Sequence, residues 1–379
     1  MNNVAYRASV RECPMEAYYN ILRVLAKAVA GVLWGLIILR VVQRLVTFGA
    51  FNVFVYLANL IDFLPFLSFA FKINCNFKVK QLRRIVSMAQ FKWGINNDYA
   101  PLKHVLLGKP EHYKWVDAGP LIGRTLLNAH KTGIKFDLQT AMSQHAEMVA
   151  IYEENGVECH YLDTDEVLHR NFFARDSSAM TPWGALICHM QLKVRRADYV
   201  TAIKFYQENE IPIWNFATAG HFEGGDFVIL EPGKVLIGYC GERSEQAGSE
   251  QIAEFVRKQG WEAVTVPISR EFVHMDGLVV PLDEKLLVAC LDALEPWVVK
   301  QLKDWGFKFV DVPYREAKNL GVNLVALGNS KVLSMSSADD LNCKMRSLGF
   351  EVYDPDMSMF TLGGGGVHCL SQALCREDA

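Results

Sequence analysis

The sequence predicts an α/β fold built from five copies of one unit, preceded by a hydrophobic helical extension. Three observations predict it: a helix-to-strand junction that recurs five times, a Gly at four of those junctions, and an apolar bias concentrated near the N-terminus. The junctions read NGVECHYL, NEIPIWNF, QGWEAVTV, WGFKFVDV and LGFEVYDP. Their breaks fall at Gly156, Glu210, Gly260, Gly306 and Gly349, about 45 to 55 residues apart. Regular spacing on that scale is the signature of a repeat architecture.

The stretches before the breaks (AMSQHAEMVAIYEEN, ADYVTAIKFYQEN, SEQIAEFVRKQ, ALEPWVVKQLKDW and SADDLNCKMRSL) carry apolar residues at three- and four-residue spacing, which predicts helices. A Gly just past a helix end takes the left-handed conformation that closes the last turn. The segments that follow are short, β-branched or aromatic and partly alternating, which predicts strands. A doubly wound sheet would also alternate helices with strands. The placement of polar residues favours a repeat about an axis instead. Some 13 to 20 residues past each break stands a candidate reactive residue: Asp176, Glu223, His274 with Asp276, Asn319 with Asn323, and Cys369. Five units around an axis would turn all of them to the centre.

From Ile21 to Phe71 the chain is mostly hydrophobic, and Leu45–Ile61 holds no charge. About 20 apolar residues suffice to span a bilayer, so the run Leu45–Phe71 is expected to form a transmembrane helix, with membrane-lipid contact over residues 21–71. Lys72, Lys78, Lys80, Arg83 and Arg84 follow it, which keeps the next domain in the cytoplasm. The alternative is a buried helical hairpin on a soluble cytoplasmic protein. The expected division is a membrane-associated extension over 1–90 and a catalytic domain over 91–379. A net charge of −3 offers no basic surface for nucleic acid. Nine cysteines without a C-x-x-C pair read as free thiols in a reducing compartment.

Four short stretches carry the chemistry. FVHMDGLVVPLD places His274 and Asp276 two apart in a strand-like segment, which turns both to one face. GHFEGGDFVIL sets Glu223 and Asp226 around two glycines at the entrance to an apolar strand, and NFFARDSSAM holds Arg175 and Asp176 between apolar runs. TLGGGGVHCLSQAL is the most unusual: four consecutive glycines are costly to order and suit close backbone approach to a ligand. Cys369 follows them, where backbone amides can lower its pKa. A metal site of His368, Cys369 and Cys375 fails on ligand number and spacing. Neighbours on a strand point opposite ways, so the base for Cys369 is expected to be His274 rather than His368. Paired carboxylates beside a thiol and an imidazole suit a planar guanidinium.

The ordered set R-D, E-G-G-D, H-x-D and G-G-G-x-H-C, with the opening NNDYAPLKHVLLGKP, resembles the guanidino-group-modifying (pentein) superfamily over about residues 95–375. That superfamily includes arginine deiminases, dimethylarginine dimethylaminohydrolases, arginine dihydrolases and amidinotransferases. The resemblance implies a five-bladed α/β propeller of ββαβ-like units around a pseudo-fivefold axis. By resemblance Cys369 is the nucleophile, His274 the general acid/base and Glu223 the carboxylate that orients it, while Asp176 and Asp276 grip the guanidinium. Arg243, followed by Ser244 where family hydrolases carry Thr, and Arg195 or Arg196 are candidates for a substrate carboxylate. No metal or cofactor is implied, and the partner is a small arginine-like guanidino compound.

Hydrolysis of the guanidino group of arginine or an arginine derivative, through a covalent Cys thiouronium, is the leading expectation. Glu223 favours it, because amidinotransferases of this superfamily resemble one another in having Asp there. The alternative is amidino transfer from arginine to an amine acceptor. An inactive membrane-tethered binding protein is a third reading, disfavoured by the competent residue at each position.

Overall fold

The computed structural model describes residues 91–116 and 119–377. The hydrophobic run at 21–71, and with it the expected extension, lies outside the described residues. The expectation of a transmembrane helix is corrected: among the described residues no helix is long and apolar enough to cross a membrane.

Among the described residues, fifteen strands form five three-stranded sheets. The first joins β1 (Leu102–Leu107) and β2 (Glu158–Tyr161) to the C-terminal β15 (Gln372–Arg376). The second holds β3 (Ser178–Thr181), β4 (Gly184–Ile187) and β5 (Ile213–Phe216), and the third β6 (Phe227–Glu231), β7 (Lys234–Tyr239) and β8 (Glu262–Pro267). The fourth holds β9 (Val279–Asp283), β10 (Leu286–Ala289) and β11 (Lys308–Asp311), and the fifth β12 (Val325–Gly328), β13 (Lys331–Leu333) and β14 (Glu351–Tyr353). In every sheet the middle strand pairs antiparallel with one neighbour and parallel with the other. A parallel partner requires a crossover, and a helix supplies it each time.

Those helices are Leu138–Glu154, Asp198–Glu208, Gln246–Arg257, Pro296–Asp304 and Asp339–Ser347, within a few residues of the expected spans. Each is followed by a residue of positive φ: Gly156 (74°), Gly260 (82°), Gly306 (82°), Gly349 (92°), and Glu210 (55°), which adopts the left-handed turn without being glycine. The apolar faces this creates are fully enclosed. Val235, Leu236 and Ile237 of β7 and Leu287 and Val288 of β10 have no exposed surface. Each such side chain contributes about 1.5–3 kcal/mol of burial.

Neighbouring sheets touch through β15 and β3, β6 and β9, β9 and β12, and β12 and β1, while the second and third units meet through Ala174–Ser177 and the turn Gly224–Asp226. Because β15 completes the sheet of β1, the first and last strands of the described residues are tied together, and Cys369 lies three residues before that closing strand.

Candidate active site

Each unit presents its polar residues at one structural position, the turn leading into the strand that pairs antiparallel with the middle strand of its sheet. Asp176 sits on the one-turn helix Ala174–Ser177 before β3. Glu223 precedes the turn Gly224–Asp226 before β6, and His274 precedes the turn Met275–Gly277 before β9. Asn323 stands just before β12, and Cys369 lies on the helical turn Val367–Leu370 before β15. Asp176, Asp276, His274, Asn323, Cys369, Arg195 and Arg243 line one cleft, joined by Arg170, Phe173 and Leu121. Glu223 stands behind it, bonded to His274, and Asn319 is not in its lining.

The expected strand across His274 and Asp276 is corrected. A 3-10 turn replaces it, and the strand begins only at Val279. Both side chains still face the cleft because the turn, not the pleat, aims them.

His274 Nε2 donates to Glu223 Oε2 at 3.0 Å, and its Nδ1 lies 3.6 Å from Asp176 Oδ1. Burial opposes a charge on this ring, but Asp176, the bond to Glu223 and Asp226 outweigh it and raise His274 to about 9. Its imidazolium is therefore the resting form at neutral pH. Burial would also raise Glu223; the Arg243 guanidinium, 3.1 Å away, and the His274 contact hold it well below the usual carboxylate range instead. Asp226, far from being solvated, is fully buried, accepts from the Met275 amide at 2.9 Å and is pushed by burial to about 7. It ties the Glu223 turn to the His274 turn.

Cys369 is 8% exposed, and its Sγ accepts from Asn323 Nδ2 at 3.2 Å. The expected lowering of its pKa by backbone amides is present but outweighed. Burial, then the charges of Asp276 and Asp176, drive the thiol well above its ordinary value, against which the Gly366 backbone and Asn323 pull weakly. The glycines before it do allow close approach, but to protein groups. A Cβ on Gly366 would stand 2.5 Å from Asn323 Oδ1, and one on Gly363 1.8 Å from the Tyr113 hydroxyl.

Two further differences concern partners. His368 is on a helical turn rather than a strand, and its Nδ1 donates to Asp276 Oδ2 at 2.7 Å. That bond, against the opposing effect of burial, keeps the Asp276 carboxyl low, and it occupies one oxygen of the expected guanidinium grip. Asp176 accepts from Arg195 Nη1 at 2.5 Å through Oδ2, leaving Oδ1 buried without a hydrogen-bond partner. Arg195 is committed inside the protein: Nε to Asp198 at 2.8 Å and Nη2 to the Phe173 carbonyl at 3.1 Å. Arg243 likewise spends Nη1 on Glu223. Arg170, which the sequence reading missed, is buried with Nε and Nη1 unpartnered, its guanidinium 4.9 Å from the Phe173 ring. In HRNFFARD it reads as one more surface arginine, and nothing in its spacing marks it. Asp176, Glu223 and His274 lie close enough to share a cation. Arg195, Arg243 and the imidazolium already supply the compensating positive charge.

Five units of an antiparallel strand pair, a helix and a parallel strand, presenting between them a thiol, an imidazole, carboxylates and an amide at equivalent turns, define a pentein of the guanidino-group-modifying superfamily. A family profile described as N,N dimethylarginine dimethylhydrolase, eukaryotic, matches residues 128–376, about two thirds of the chain, and the chain belongs to that family. Among solved structures, a Pseudomonas aeruginosa DDAH mutant complexed with citrulline superposes with a TM-score of 0.60 at 20% identity, over 72% of this chain and 99% of that one. The N-terminal domain of ArgZ, an arginine dihydrolase from Cyanobacteria, bound to product, gives 0.62 at 20% identity over 72% and 97%. YkgA of Bacillus subtilis, an uncharacterized protein, is 24% identical over 293 residues, 77% of this chain and 99% of YkgA. The arginine deiminase of Borrelia recurrentis is 25% identical over 249 residues, and the match spans 61% of that enzyme's length.

Proposed function

We propose that residues 91–379 form a cysteine-dependent hydrolase that cleaves a guanidino C–N bond of arginine or a methylated arginine. One observation carries the reading: a buried thiol, an imidazolium and a carboxylate oxygen with no hydrogen-bond partner meet in a single cleft. The adjacency of the five sheets supports their arrangement as blades about a pseudo-fivefold axis, which is what brings turns of distant sequence to one centre.

The chemistry follows from the charges. Asp176 Oδ1 and Asp276 take a guanidinium by charge-assisted hydrogen bonds. The arriving cation offsets the two anions that hold the thiol protonated, so the Cys369 proton leaves to solvent as substrate binds. The thiolate attacks the central carbon, and His274 gives its proton to the departing amine as the C–N bond breaks. A covalent thiouronium remains. Neutral His274 then takes a proton from water, which attacks the same carbon, and the C–S bond breaks to free a ureido product. Glu223 fixes the ring and favours its charged form. Arg170 is the donor for a substrate carboxylate, a role better suited to it than to Arg195, whose donors are committed.

The test is incubation of the protein with arginine, dimethylarginine and agmatine, with and without glycine, against a Cys369→Ala blank. Citrulline with ammonia or methylated amine, formed without an acceptor, supports hydrolysis. Product only when glycine is present would assign amidino transfer, and equality with the blank on every substrate would end the enzyme reading.

A further inference from the structure

A second constellation of ligand-type side chains lies away from the cleft, on the paired strands β1 and β2. In their parallel register His104 stands opposite Glu158, and Leu106 opposite His160. Side chains two apart on a strand share a face, so one imidazole from β1 meets a carboxylate and an imidazole from β2. His104 Nδ1 and His160 Nε2 are 3.2 Å apart. Glu158 reaches both rings, Oε2 lying 3.6 Å from His104 Nδ1 and Oε1 3.7 Å from His160 Nε2.

Those separations have a physical meaning. A tetrahedral ion with bonds of about 2.0–2.1 Å needs its donors about 3.3 Å apart. Two nitrogens and a carboxylate already spaced near that value require little movement to close on one centre. Two ring nitrogens facing each other at 3.2 Å hold at most one proton between them, so at least one lone pair points inward. The Phe91 ring stacks on His160 with centroids 4.2 Å apart and lies tilted against His104 at 4.6 Å, so it packs on both imidazoles. The His104 and His160 side chains are 16% and 14% exposed and that of Glu158 is 66% exposed, which gives an ion an entry path along the carboxylate. Among the described residues, the ion-pair contacts of Glu158 are with these two imidazoles, whereas Asp176 and Glu223 are paired with the guanidinium groups of Arg195 and Arg243.

We propose that His104, Glu158 and His160 form a divalent-metal site of the zinc type, with two imidazole nitrogens, one carboxylate and a solvent-facing fourth position. Neutral nitrogen and oxygen donors at this spacing suit zinc better than calcium or magnesium, which take oxygen ligands in larger number. Bound there, the ion would clamp the first long strand of the domain to its parallel partner. The site is independent of the reaction assigned to Cys369.

The full chain, stripped with a chelator, is titrated with Zn2+ by calorimetry and with Co2+ by visible absorption, as wild type and as Cys369→Ser, His160→Ala and Glu158→Gln. One ion per chain is expected in wild type and in Cys369→Ser, with the intense visible bands of four-coordinate cobalt. His160→Ala is expected to weaken binding by more than about a hundredfold and Glu158→Gln by about tenfold. Zinc should raise the melting temperature of wild type and not of His160→Ala. Glu158→Gln, an exposed isosteric change, keeps the test intact if His160→Ala fails to fold. Absence of binding in wild type, unchanged binding in both variants of the cluster, or loss of the ion only in Cys369→Ser would overturn the proposal.

Discussion

Asn323 holds Cys369 from two sides. Its amide nitrogen donates to Sγ at 3.2 Å, while its oxygen accepts from the backbone amides of His368 at 3.0 Å and Cys369 at 3.3 Å. The side chain thus fixes the turn that carries the thiol and offers a neutral donor to the thiolate. Asn323→Asp would keep the shape and replace that donor with an anion. We expect kcat/KM to fall about a hundredfold, the scale of losing one aimed donor. Alkylation of Cys369 by iodoacetamide should also need a higher pH than in wild type. An unchanged alkylation profile would show that Asn323 positions the turn without touching the thiol's chemistry.

Arg170 carries a different kind of consequence, because a buried guanidinium with unpartnered Nε and Nη1 is costly unless a ligand completes it. Arg170→Gln should raise KM for arginine about ten- to a hundredfold and leave agmatine, which lacks the carboxylate, nearly unaffected. Equal losses on both substrates would assign Arg170 to the scaffold, through its contact with Phe173 and the Gly363 carbonyl.

The repeat was legible because it is local: helix period, a left-handed break and a short strand recur within one sequence window. Even Glu210, the break without Gly, adopts positive φ at the expected place. The residues meeting at the cleft were legible as types in a pattern. Their partners were not, since the Asp276–His368 and Asp176–Arg195 pairs depend on how turns 92 and 19 residues apart pack. The thiol's state failed for the same reason. Sequence shows glycines and amides beside Cys369 but not the two carboxylates that other units bring to it. The H-x-D strand failed because alternation over so few residues does not separate a strand from a 3-10 turn.

Gly225 is where backbone economy meets catalysis. A Cβ there would stand 2.7 Å from His274 Nδ1 and 2.8 Å from its Cγ, so Gly225→Ala forces the ring off its 3.0 Å bond to Glu223. Overpacking of this kind costs about 1–3 kcal/mol. We expect a lower melting temperature and a kcat reduced about a hundredfold, with Cys369 still titratable by a thiol reagent. Full activity in a folded Gly225→Ala protein would mean that the ring's present seat is not its working position.

The charge on His274 yields the sharpest expectation. Its folded value, about 9, lies above the ordinary 6.5, because Asp176, Glu223 and Asp226 overcome the cost of burial. A group raised on folding adds stability that is complete below about pH 6.5 and disappears as pH climbs through 9. The gap in melting temperature between wild type and His274→Gln should therefore narrow across that window. In the proposed mechanism the same proton is the one delivered to the leaving amine, so kcat/KM should fall above about pH 9. Glu223→Gln removes an anion that favours the imidazolium and leaves Arg243 uncompensated beside it; both effects move that falling limb to lower pH. A temperature gap constant from pH 6.5 to 9, together with an unmoved limb in Glu223→Gln, would mean that His274 rests neutral and that the leaving amine takes its proton from elsewhere.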